Sequence, residues 1–139
     1  MAAEPDWTPD WTGVEAPGMD AFERIARAAF AGLPEKFRAL CGNIPFVVQE
    51  FPDEDVIAEM ELESEFDILG LFQGDDLAAR EGHGGRPEPT MIFLYRRPIL
   101  DYWAENRCSL GEVIRHVIIH EIGHHFGLSD DDMEEIECT

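Results

Sequence analysis

The chain has 139 residues, of which 30 are Asp or Glu and 10 are Lys or Arg, for a formal charge of −20. That length suits one domain with a modest core. Such a charge disfavours nucleic acid and anionic membrane as partners and keeps a protein in solution. No apolar run approaches the length of a membrane span. The first residues, MAAEPDWTPDW, are acidic and proline-bearing, unlike a secretory leader. Cys41, Cys108 and Cys138 show no paired spacing, so reduced thiols and a cytoplasmic location are expected. A monomer is plausible on these grounds.

Residues 1–18 read as an acidic tail and 19–139 as the single domain. Trp7 and Trp11, unusual in a tail, are expected to pack on the domain's own surface. From Asp20 the pattern is helical, with Phe22, Ile25, Ala26, Ala29 and Phe30 on one face and Gly32 ending it. Pro34 opens a second short helix carrying Phe37 and Leu40, closed by Gly42. Residues 44–51 predict a strand around Phe46-Val47-Val48, and 52–60 a short acidic helix holding Val56, Ile57 and Met60. Residues 67–72 predict a brief strand. Residues 74–89, rich in glycine and proline, read as a long connector containing His83, with a lid as the sharper alternative. A strand over 90–96 and a helix over 98–106 follow. Ser109 and Glu112 form a capping box, so the next helix starts there and runs to Phe126. Ser129 with Asp132 makes a second box for a last helix over 130–137. This order predicts an α+β fold with a small mixed sheet.

The helix after Ser109 carries His120-Glu121-Ile122-Gly123-His124-His125-Phe126-Gly127-Leu128-Ser129-Asp130. Imidazoles at i and i+4 stand one turn apart on the same helix face. Both can therefore reach one ion at about 2.0–2.1 Å. Glu121 sits about 100° further round, beside the ion, where it can accept a proton from an activated water. Gly127 lets the chain leave the helix and turn back, bringing Asp130 within range. The helix is apolar nearly all round and so is buried. Histidines and a glutamate inside it need a partner, and a divalent cation provides one.

His116 continues the i, i+4 series, yet it lies about 12 Å along the axis from His124. One ion cannot bind both, so His116 reads as a neighbour of the site or a surface residue. His125 points about 100° away from His124 and fits packing or a hydrogen bond better than ligation. Asp130 has competitors for the third ligand in Asp131, Asp132, Glu134 and Glu135, and it can also serve the last helix's N-terminus. Tyr95 fits the core, while Arg96 and Arg97 fit the surface. A free thiol is the simpler reading of Cys138.

Three blocks in order, Leu69 to Gly74, Ile92 to Ile99 and His120 to Asp130, resemble the small bacterial zincin-like metallopeptidase family, the minimal zincins. The resemblance spans roughly residues 20–135. It implies a compact α+β fold with an abbreviated sheet against a central metal-binding helix. It also implies one zinc ion held by His120, His124 and Asp130, with Glu121 as catalytic base. Larger zincins with this extended motif commonly carry a further C-terminal lobe and a methionine turn beneath the metal. Here nine residues follow Asp130, and Met133 is the methionine close enough to pack under the site.

The chemistry so implied is metal-assisted hydrolysis of a peptide bond in a peptide or protein substrate, with a metal-activated water and Glu121 as general base. An extended substrate could lie along an exposed strand edge, with residues 90–96 as the candidate. Two alternatives stand beside this reading. One is a non-catalytic, metal-stabilised interaction module. The other is a zinc-dependent endoribonuclease with a His-x3-His-x5-His site, which needs no Glu after its first His and is poorly served by an acidic surface.

Overall fold

The structure is a computed structural model and describes residues 10–74 and 90–138. A 3₁₀ turn, Trp11–Gly13, precedes helix α1, Met19–Ala31, and the short α2, Glu35–Arg38. Strand β1 is Phe46–Gln49, α3 is Glu54–Glu59 and β2 is Gly70–Gln73. Strand β3, Met91–Tyr95, runs straight into α4, Arg96–Glu105. Helix α5, Leu110–His125, and α6, Asp130–Glu137, close the fold.

The sheet is mixed and three-stranded, in the order β1-β3-β2. Strand β3 pairs in parallel with β1, Val48 opposite Leu94, and antiparallel with β2, Gly70 opposite Leu94. The α+β class with a small mixed sheet is the architecture expected from the element order. One detail differs. Strand β3 lies between two neighbours, so the edge proposed at residues 90–96 is already hydrogen-bonded on both sides, and β1 and β2 are the edges among the described residues.

Alternation builds the core from the sheet side. Ile92 and Leu94 of β3 are fully buried, whereas Met91 and Phe93 between them are only partly covered. Against them lies α5, in which Ile114, Ile118, Ile119 and Ile122 have no exposed surface. Each such side chain contributes about 1.5–3 kcal/mol of burial, which anchors the helix rigidly. Phe22 and Ala26 of α1 join the same cluster. Gly70 lets β2 approach α5 closely, because a Cβ there would lie 2.6 Å from Val117 Cγ1 and 2.9 Å from the Phe93 carbonyl oxygen.

Both capping boxes form. Glu112 N–H donates to Ser109 Oγ at 3.1 Å and Asp132 N–H to Ser129 Oγ at 3.1 Å, with the reciprocal side-chain bonds also made. Helix α4 begins at Arg96, two residues before the predicted start, because Arg96 and Arg97 supply its first turn ahead of Pro98.

Three expectations are corrected. Trp11 is 68% exposed, while Trp7 lies outside the described residues. The short acidic helix expected over 52–60 is confined to Glu54–Glu59, so Met60 falls just past its end and is exposed. Arg96 is not a surface residue: its guanidinium donates to both Glu50 carboxylate oxygens at 3.0 and 3.1 Å and to the Pro17 carbonyl at 2.7 Å, tying the segment before α1 to the sheet end. The 74–89 connector and His83 fall outside the described residues, apart from Gly74. No described helix is long and apolar enough to cross a membrane.

Candidate metal centre

Two stripes of polar side chains face each other across the α5–α6 contact. On α5, His116, His120 and His124 recur every fourth residue and so share one face. On α6, Asp130, Met133 and Glu137 share one face by the same spacing. The reversal between the helices is made at Gly127, whose φ of +74° is strained for any residue with a Cβ. The Leu128 N–H then closes on the Gly123 carbonyl at 2.8 Å, ending α5.

Three contacts set the antiparallel register. Met133 is fully buried, and its sulfur fills the space that a Cβ on Gly123 would need. At the far end, Arg115 donates to the Ile136 and Glu137 carbonyls at 3.0 and 2.9 Å. Glu137 Oε1 lies 2.9 Å from His120 Nε2 and 2.5 Å from His116 Nδ1. By this register Glu137 lies against His116 and His120, at the end of α6 away from Gly127, and Asp130 lies at the Gly127 end.

The four predicted site residues are arranged as follows. The His120 and His124 rings are neighbours, with centroids 5.7 Å apart. Both His124 and Asp130 are exposed, and among the described residues no hydrogen bond engages either side chain. Their donor atoms are thus uncommitted. Among the described residues, however, one set of three His, Cys, Asp or Glu donors converges within 4.8 Å, and it is His116, His120 and Glu137 rather than His120, His124 and Asp130. Glu137 was not marked by the motif. Its signal was its spacing, seven residues after Asp130 and hence on the same helix face.

Glu121 stands about 100° round α5 from His120, against β2. Burial pushes its carboxyl above the ordinary range, while a hydrogen bond from the Phe72 backbone N–H and the nearby His124 pull it back in part. In the β2–β3 ladder Tyr95 N–H bonds the Leu69 carbonyl, so the register turns the Phe72 N–H toward the free edge of β2. The carboxylate therefore sits at that edge, beside His124. Tyr95 is buried, and its phenol is pushed up to about 12, first by burial and then by the Asp53 and Glu121 carboxylates. It stays neutral and can only donate or accept a hydrogen bond.

His125 packs, as its direction on the helix implies. Its ring lies 4.0 Å from that of Phe72 and 5.0 Å from that of Phe126, and its buried Nε2 has no hydrogen-bond partner among the described residues. It braces β2 against α5 next to Glu121. The three cysteines are free thiols, none within the His and carboxylate groove's converging set.

Two imidazoles and a carboxylate are a donor set that suits zinc, and the uncommitted His124 and Asp130 fit that role. No match is found among curated proteins. The profile of the zincin-like metallopeptidases matches residues 41–139, which take in β1 to β3 and the whole of α5 and α6. With the small mixed sheet, the histidine-bearing helix and the half-buried Glu121 all inside the matched span, the chain belongs to the zincin-like metallopeptidase family.

Proposed function

We propose that the protein is a zinc-dependent peptidase in which His120, His124 and Asp130 hold the metal and Glu121 is the general base. When bound, zinc would supply the Lewis acidity that polarises a scissile carbonyl and makes a water nucleophilic near neutral pH. The observation that carries the reading is the position of Glu121, half-buried next to His124 at the free edge of β2. An extended peptide adding to that edge would pass the Glu121 carboxylate, with backbone hydrogen bonds from β2 orienting it. Burial raises the proton affinity of Glu121, which suits a group that must take a proton and then return it to the leaving amine. His125, packed on Phe72, holds the edge in place.

The interaction-module alternative asks zinc to fasten α6. Met133 packed on Gly123 and Arg115 on the Ile136 and Glu137 carbonyls hold α6 on α5, and that reading gives Glu121 no task. The ribonuclease alternative gives Glu121 no task and faces the −20 charge.

Competition titrations with a zinc chelator test the ligand set. Asp130→Ala is expected to weaken zinc binding by about a hundredfold or more, beyond what loss of a residue supporting a ligand does. Asp131→Ala and Asp132→Ala should stay within about threefold of wild type, their carboxylates serving solvent and the helix cap. Equal losses in all three would show that Asp130 is not the ligand.

A further inference from the structure

His116, His120 and Glu137 form a polar cluster in which the motif accounts for His120 but for neither His116 nor Glu137. The His116 and His120 rings stack with centroids 3.9 Å apart, and both turn a nitrogen to the same oxygen, Glu137 Oε1. We propose that this trio is a second divalent-cation site, and that it competes with the motif site for His120.

The donor chemistry is of the zinc type, two imidazole nitrogens and one carboxylate oxygen. Donors around a tetrahedral zinc lie about 3.3 Å from one another when each bond is about 2.0–2.1 Å. The observed separations of 2.5 and 2.9 Å need to open by about 0.8 and 0.4 Å to admit an ion. Without an ion, each ring must point an N–H at the shared oxygen; with one, the metal replaces both protons. A solvent path exists. His116 is about half exposed, and with Glu137 it lines a groove of about 400 Å³ that also includes Tyr102, Cys108 and Glu112. The C-terminal end of α6 adds partial negative charge, as does the −20 of the whole chain. Arg115 lines the same groove, and its guanidinium is turned to the Ile136 and Glu137 carbonyls.

Exclusivity follows from His120. A neutral imidazole offers one lone pair, so His120 cannot bind an ion on the Glu137 side and another on the Asp130 side. The second site stands on its own distances; its effect on the first rests on the function proposed above. An ion held by His116, His120 and Glu137 withdraws a ligand from the catalytic set, giving a cation-operated brake.

Zinc alone is the probe, titrated against a chromogenic chelator. In a His124→Ala/Asp130→Ala protein, which lacks two motif ligands but keeps the trio, one zinc per chain should still bind. Adding His116→Ala, or independently Glu137→Gln, should weaken that binding at least tenfold, with circular dichroism unchanged because His116 is a surface position. Wild type should bind one zinc, not two. Absence of zinc binding in the double variant, unaltered affinity on changing either His116 or Glu137, or two ions bound at once to wild type would overturn the proposal. None of these outcomes depends on peptide cleavage, so failure of the peptidase reading is detected separately.

Discussion

Glu121→Gln is expected to lower peptide hydrolysis by about 10²–10⁴-fold while leaving zinc affinity within a few-fold of wild type. The amide matches the carboxylate in size and still accepts the Phe72 hydrogen bond, so the β2 edge keeps its geometry. What it loses is the capacity to take up a proton. A stability signature separates this from general damage. Burial raises the Glu121 carboxyl in the folded protein, so its contribution to stability is fully present below the unfolded-state value and is lost as pH rises through the folded-state value. As pH rises through the folded-state value the metal-free wild type bears the cost of ionising this half-buried carboxyl, a cost that Glu121→Gln removes. Urea unfolding of the metal-free proteins should find the variant more stable than wild type at pH 7, with the difference shrinking below pH 4. A variant that loses activity and stability together at pH 7 would point to a structural role for Glu121.

Gly123→Ala should destabilise the protein by about 1–3 kcal/mol, the usual result of overfilling a packed core. The added Cβ meets the Met133 sulfur and Cγ, and Met133 has no exposed surface into which to retreat. Met133→Ala alone should cost about 2–5 kcal/mol through the cavity it leaves between α5 and α6. The two changes share one space, so they should not add. In the double variant the new Cβ enters the room left by the methionine, and the loss should fall short of the sum by more than about 0.5 kcal/mol. Chemical denaturation of the four proteins closes this cycle. Strict additivity would mean that α6 does not dock through this pair. Both single variants should also weaken zinc binding, because Asp130 and Glu137 are carried by the same helix.

The sequence disclosed the parts of this molecule that depend on local chemistry. Ser109 with Glu112, and Ser129 with Asp132, announce their helix starts because a capping box is satisfied within four residues. Gly127 announces the reversal because a left-handed turn was needed there. The i, i+4 imidazoles and the glutamate beside them were readable for the same reason. What escaped was set by tertiary placement. Strand β3 looks like an edge as well as a centre from its own residues, since pairing is decided by β1 and β2. Trp11 promised an anchor that the fold does not use. Arg96 reads as a surface cation until Glu50 and the Pro17 carbonyl, distant in sequence, are brought against it. Glu137 is one of many acidic residues near the end of the chain, and only the antiparallel docking of α6 singles it out. His116 escaped likewise: spacing along α5 excluded it from a site with His124, but could not reveal a carboxylate arriving from another helix.

The position of the metal decides between the two ligand sets. Crystals grown with one equivalent of zinc, measured on both sides of the zinc absorption edge, would locate it directly. An anomalous peak bonded by His120, His124 and Asp130, with an open position turned toward Glu121 and the β2 edge, is the predicted result. A peak bonded by other residues, or no peak at all, would contradict it.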